Sequence, residues 1–407
     1  NYPLPESLDP PFLVTTEIAP TPWNKKTHLL HIGIKGYDIP KDNLPPANLV
    51  FLVDVSGSMK SSDKLALVKS ALKLLSRQLT AKDKVSLVVY AGAEGLVLEP
   101  TPGNQSGKII AALDRLSAGG STNGGAGIQL AYAVAKQAFI RDGINRVLLA
   151  TDGDFNVGTV SHEALINLIE EKRKSGISLT TLGFGTGNYN DRLMEQLADA
   201  GNGNYAYIDN INEAQKVLVD EMSSTLNTIA KDVKIQIEFN PAKVAEYRLI
   251  GYENRMLKRE DFSNDQVDAG EIGAGHTVTA LYEIALVGSG GERLENRRYG
   301  DNQTVSGQDN ELAFLRLRYK APDGDTSQLL EWPLMRQDLV DSTSERFRFS
   351  AAVAAFGQQL RGGKYLERFS YDEILSLARG ARGDDPFGYR AGLIELVNLA
   401  KSLSHER

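Results

Sequence analysis

Val50-Phe51-Leu52-Val53-Asp54-Val55-Ser56-Gly57-Ser58-Met59 is the stretch on which the reading of the fold turns. Four apolar residues in an unbroken, non-alternating run are the signature of a short strand buried on both faces. Asp54 then marks the point where the strand leaves the sheet. In an open parallel sheet the ligand crevice lies outside the carboxyl ends of the strands. A carboxylate and two hydroxyls, Ser56 and Ser58, therefore arrive together at the edge where chemistry is usually done. All three offer oxygen, the donor preferred by hard divalent cations, and magnesium takes only one or two carboxylates from a protein.

Working outward, two further stretches can complete an oxygen shell. Gly119-Gly120-Ser121-Thr122-Asn123-Gly124-Gly125 is a glycine-rich loop carrying Thr122 just ahead of an apolar helical pattern. Val147 to Ala150 is a second buried strand, and it runs into Thr151-Asp152-Gly153-Asp154. Asp154 suits the turn that follows, as Asp often does, and Phe155 extends the same rim.

Between and after these loops, strand and helix alternate. Helical spacing covers 64–79, 109–116, 126–139, 163–174, 191–200 and 213–226, and strands are expected at 85–90, 96–98, 177–184 and 205–208. Only a few residues join the strands at 85–90 and 96–98, too few for a parallel crossover, so these two form a hairpin with one antiparallel strand at the sheet edge. The pattern predicts an α/β, doubly wound, mostly parallel sheet covered by helices on both faces.

The ordered set of a D-x-S-x-S after the first strand, a threonine in a glycine-rich loop and an aspartate after the next strand resembles the metal-ion-dependent adhesion site of von Willebrand factor type A domains, the family that includes the inserted domains of integrins. The resemblance implies that Asp54, Ser56, Ser58, Thr122 and Asp152 hold a cation. The hydroxyls would coordinate directly or through water, and the aspartates would coordinate or anchor its waters. Magnesium is the expected ion; manganese and calcium accept the same oxygen shell. Two carboxylates at most face the divalent charge, so a carboxylate from an Asp or Glu of a partner protein is the natural final ligand. The alternatives are a metal-dependent hydrolase or phosphoryl-transfer enzyme using Asp54, and a purely structural cation site. Against the enzyme, Ser56 stands where a second carboxylate would be needed and no general base is evident.

At 407 residues the chain exceeds the usual span of one core. The expected division is an extended arm and β-strands over 1–47, the A-type domain over 48–227, a β-sandwich-like domain over 228–340 and a helical region over 341–407. Alternating segments at 231–239, 244–252, 277–287, 311–319 and 328–334 carry the sandwich. The strands before the A-type domain, at 12–14 and 28–34, are too few for a core of their own and are expected to join it. Ser370-Tyr371-Asp372-Glu373 has the form of a capping box opening a helix.

A net charge of −7 with no basic stripe argues against nucleic acid, and no stretch has the length of a membrane span. Cysteine is absent, which removes thiol catalysis and thiolate metal sites. The five histidines show no zinc-type clustering. Arg382-Gly383-Asp384 and the glycines at 183–187 are too short to carry function by themselves. The order of domains is similar to that of a bacterial envelope family in which an A domain precedes a C-terminal domain of unassigned function, which implies an extracytoplasmic protein, lipid-anchored through a region upstream.

Overall fold

The computed structural model describes residues 2–40, 43–91, 94–120, 124–153, 161–186, 189–252, 258–265, 267, 269–294, 310–322, 324–385 and 387–404. A long hairpin comes first, β1 (Phe12–Thr21) and β2 (Asn24–Gly36), paired antiparallel with Phe12 opposite Gly36. Next come β3 (Ala47–Asp54), α1 (Leu67–Ser76), β4 (Lys84–Tyr90), β5 (Glu94–Pro102), α2 (Ser106–Asp114), α3 (Gly124–Gln137) and β6 (Ile144–Thr151). The alternation continues with α4 (His162–Arg173), β7 (Ser178–Phe184), α5 (Asp191–Ala200), β8 (Tyr205–Ile208), and the short helices α6 (Ile211–Gln215) and α7 (Met222–Leu226).

These strands form one six-stranded sheet in the order β5-β4-β3-β6-β7-β8. All neighbours are parallel except β5, which runs antiparallel to β4 at the edge. The doubly wound sheet with one antiparallel edge strand is the architecture expected from the sequence. Every residue of β3 is buried, because alternate side chains feed two cores. Leu49, Phe51 and Val53 meet α1, α2, α6 and α7, while Val50 and Leu52 meet α3, α4 and α5. Strand order reverses between β3 and β6, so the crevice at their carboxyl ends is the switch point of the sheet.

Two of the expected helices are corrected. The one read over 64–79 is regular only from Leu67 to Ser76; Ser62–Ala66 is a wide π-type turn in which Lys64 leaves helical geometry at φ −115° and ψ −106°. The one read over 213–226 is divided by a second π-type turn, Lys216–Asp220. Val217, Leu218 and Val219 are consecutive and all buried, with Val217 and Leu218 in the core beneath β3; a π-type turn brings consecutive side chains nearer to one face than an α-helix does.

Past β9 (Thr228–Phe239) the chain is antiparallel: β10 (Val244–Ile250), β11 (Gly270–Gly273), β12 (Thr277–Leu286), β13 (Glu311–Lys320) and β14 (Ser327–Met335). Sheet order is β1-β2-β12-β10 in one layer and β11-β9-β13-β14 in the other. The N-terminal hairpin thus pairs, through β2 and β12, with strands that follow the six-stranded unit. Ile18, Leu30, Ile32 and Ile284 of one layer pack on Phe239, Leu315 and Leu334 of the other. The four-residue β11, bracketed by glycines, carried no periodic signal in the sequence.

Three helices close the chain, α8 (Glu345–Leu360), α9 (Tyr371–Gly380) and α10 (Tyr389–Ser404). They cover the outer face of the first layer, where Phe347, Ile374 and Val397 meet Ala19, Leu29 and Leu281. The capping box at Ser370 and Glu373 is formed as expected. Among the described residues no helix is long and apolar enough to cross a membrane.

Under α8 the ring of His31 is 3% exposed, its Nε2 3.1 Å from the Tyr2 hydroxyl and 3.3 Å from Ser350 Oγ. Burial pushes the ring down from 6.5 to about 4, with the Glu17 carboxylate opposing. A histidine kept neutral by the fold charges more readily once unfolded, so its contribution is complete above pH 6.5 and is lost as pH falls towards 4. We expect wild type to lose on the order of 3 kcal/mol more stability than His31→Gln between pH 7 and pH 4. Denaturant unfolding at the two pH values checks it; parallel losses would show the ring to be solvated.

Candidate metal centre

Asp54 ends β3 and is fully buried, and Ser56 and Asp152 are 2% and 5% exposed. The backbone N–H of Ser56 donates to Asp54 Oδ1 at 2.8 Å, which folds the chain back over the end of β3, with Ser56 buried and Ser58 exposed. Their hydroxyls converge, Ser56 Oγ lying 3.0 Å from Ser58 Oγ. On the other oxygen, Asp54 Oδ2 accepts from the Tyr90 hydroxyl at 3.2 Å and from Thr151 Oγ1 at 3.0 Å. Asp54 is therefore clamped from both neighbouring strands, β4 and β6. Asp152 follows Thr151 directly, and Gly153 turns the chain away at φ +76°, a conformation that favours glycine.

Backbone hydrogen bonds lace the start of the glycine-rich loop to the serine loop. Gly57 N–H donates to Gly120 O at 3.0 Å and Gly119 N–H to Val55 O at 2.7 Å. Behind it, Gly127 lets α3 approach β4, since a Cβ there would lie 2.8 Å from Tyr90 Cβ. Thr122 itself, with Asp154 and Phe155, lies outside the described residues. Four of the five expected ligands are thus described, Asp54, Ser56, Ser58 and Asp152, all at the carboxyl ends of β3 and β6.

Burial holds the Asp54 carboxyl above its usual range, and the charge of Asp152 adds to that, while the hydrogen bonds from Ser56 and Thr151 pull it down. Burial also raises the Tyr90 hydroxyl, with Asp54 reinforcing it, so Tyr90 stays a donor. Opposite the carboxylates stands one ammonium, Lys64 Nζ, 2.9 Å from Asp152 Oδ2 and 3.1 Å from Ser58 O. Among the described residues no group of three or more His, Cys, Asp or Glu side chains gathers anywhere. The donor set here is of a different kind, two carboxylates with converging hydroxyls. It fits a hard cation that keeps part of its water shell.

Sequence reasoning missed Tyr90, Thr151 and Lys64. Tyr90 could have been found from pairing, since it stands opposite Asp54 in the parallel register of β3 and β4. Thr151 is the last residue of β6 and so shares that rim.

The sheet order and its switch-point crevice are those of a von Willebrand factor type A domain, and that family matches residues 48–220. A second family, described as the C-terminal part of the uncharacterized protein YfbK, matches residues 224–403. The YfbK protein of Escherichia coli is 48% identical over 403 residues, covering 98% of this chain and 70% of that protein. This chain belongs to the YfbK family. Human inter-alpha-trypsin inhibitor heavy chain H4 is 30% identical over 149 residues, 34% of this chain and 16% of its own length. Among solved structures, a von Willebrand factor type A protein from Catenulispora acidiphila aligns with a TM-score of 0.48 at 14% identity, covering 91% of this chain and 87% of that one.

Proposed function

We propose that this chain is a non-catalytic protein-binding module that holds a divalent cation on Asp54, Ser56, Ser58, Thr122 and Asp152 and through it engages an Asp or Glu side chain of a partner protein. Magnesium is the first choice of ion, with manganese and calcium as substitutes. The observation that carries this reading is a pair of buried carboxylates at the switch point, beside converging hydroxyls, with the Lys64 ammonium opposite them. Asp54 already accepts three hydrogen bonds, leaving about one of its four lone-pair sites. Its part is to orient Ser56 and contribute charge, while Asp152 and the serine hydroxyls face the ion. A divalent cation bound there supplies an open coordination position and positive charge that two carboxylates do not exhaust. The resemblance to bacterial envelope A-domain proteins supports an extracytoplasmic location.

A calorimetric titration of the chain with magnesium chloride, with thermal unfolding in parallel, tests the reading. One binding event is expected, and magnesium at about 100 times its dissociation constant adds roughly 2.7 kcal/mol to the native state. That corresponds to a rise of about 5–10 °C in Tm for a domain of this size. No heat and no shift with magnesium, manganese or calcium would overturn it. Adding a Glu-containing peptide should then tighten magnesium binding, because coupling between two ligands is reciprocal.

A further inference from the structure

We infer that Lys64 is a tethered competitor for the cation, an ammonium built into the chain that holds Asp152 until a divalent ion displaces it. The inference rests on the cation-binding reading above and adds to it the residue that sets the affinity. Four observations converge on this lysine. Its Nζ bonds Asp152 Oδ2 at 2.9 Å and Ser58 O at 3.1 Å, so it touches two of the segments that form the site. The pair is sheltered, with side-chain exposures of 17% and 3%.

The backbone is bent to deliver it, since Lys64 leaves helical geometry inside the turn Ser62–Ala66. Finally, the loop after β7 makes room for its stem. Gly185 has φ +83°, and a Cβ on it would come within 2.5 Å of Lys64 Cγ and Cε. The neighbouring Asp63 pins the turn to that loop, its Oδ2 accepting from Thr186 N–H at 3.2 Å. A lysine serving only as a helix surface residue would need neither the bend nor the glycine.

With Asp54 ionised, the two carboxylates carry two negative charges and the ammonium returns one. A monovalent ion replacing Lys64 at Asp152 exchanges like for like, whereas a divalent ion gains one charge. Lys64 therefore raises the threshold for occupancy and favours divalent over monovalent cations. Displacement leaves the ammonium on the rim, beside the position where a partner's carboxylate would arrive.

The test is magnesium calorimetry on wild type, Lys64→Met, which keeps the stem, and Lys64→Gln. Removing the competing charge should tighten magnesium about tenfold. In wild type, the rate at which an amine-acetylating reagent modifies Lys64, read by peptide mass spectrometry, should rise severalfold at saturating magnesium. Equal or weaker magnesium affinity in both variants overturns the inference, as does an unchanged Lys64 labelling rate, and in either case wild-type binding would still stand. Absence of magnesium binding in wild type and variants alike overturns the cation reading itself. The labelling arm needs no variant to fold.

Discussion

Asp54→Asn is expected to weaken magnesium binding by at least about 100-fold while leaving a folded protein. Asparagine keeps the shape and the acceptor for Ser56 N–H. At the other oxygen, where Asp54 accepts from the hydroxyls of Tyr90 and Thr151, the new amide can donate instead, because both hydroxyls can turn and accept. What disappears is the charge. Groups that only orient a ligand cost 10–100-fold in metal affinity when changed, at a rough average, and Asp54 both orients Ser56 and faces the ion electrostatically.

The folded state holds the Asp54 carboxyl above its usual range through burial, so its contribution is fully present below the unfolded value and is lost as pH rises through the folded one. Metal-free Asp54→Asn should therefore match wild type at pH 7 within about 1 kcal/mol, and its stability should rise less on mild acidification. Only wild type should gain from magnesium. Thermal unfolding of both proteins with and without magnesium reads all four values. A variant that still binds would remove Asp54 from the site. A wild type that binds, with no partner requiring the ion, would leave the cation structural, and phosphoester turnover lost in Asp54→Asn would revive an enzyme.

The sequence made the central strand and its chemistry legible for a physical reason. A strand buried on both faces cannot alternate, so Val50 to Val53 announces its own position, and the polar residues that end it must lie on the rim. The order of loops then assigns Ser56, Ser58 and Asp152 to one edge. Lys64 was hidden because a helical period fits it as well as it fits Leu65 and Val68, and the departure from helical dihedrals has no compositional mark. Tyr90 read as no more than the end of a strand; its role depends on register, which pairs it with Asp54. The π-type turn at 216–220 was hidden likewise, since three buried residues in a row suit a strand or a helix until packing decides.

Glu283→Ala should be strongly destabilising although it lies away from the rim, at about 3 kcal/mol, the low end of the range for stripping one partner from a buried charge pair, because the arginine partners reach solvent. Glu283 stands on β12, facing the helical layer, and is 4% exposed. Thr27 Oγ1 donates to its Oε1 at 3.0 Å, and Trp23 Nε1 and Arg248 Nε donate to Oε2 at 3.3 and 2.9 Å. Arg293 lies 3.6 Å from Oε1, and the Arg248 guanidinium reaches on to Gln358 of α8 at 2.7 Å. Both arginines stack over the Tyr365 ring, at 4.1 and 5.0 Å. One carboxylate thus ties the turn of the β1-β2 hairpin, strand β10 and helix α8 to the centre of the sheet.

Truncation would leave the buried Trp23 indole N–H without its acceptor and take the counter-charge from two guanidiniums, whose remaining acceptors are Gln358 and the Tyr365 carbonyl, while the Thr27 hydroxyl keeps Asn24 O. Glu283→Gln keeps an acceptor oxygen and the volume but loses the charge, so a smaller loss of about 1.5 kcal/mol is expected. Denaturant unfolding followed by tryptophan fluorescence reports the site, because Trp23 is one of only two tryptophans in the chain. Magnesium affinity of the folded variants should stay within about twofold of wild type, as expected for distant sites that share no partner. A loss below about 1 kcal/mol for Glu283→Ala would mean that the arginines find water when the carboxylate leaves, and the helical layer would then be held to the sheet by its apolar contacts alone.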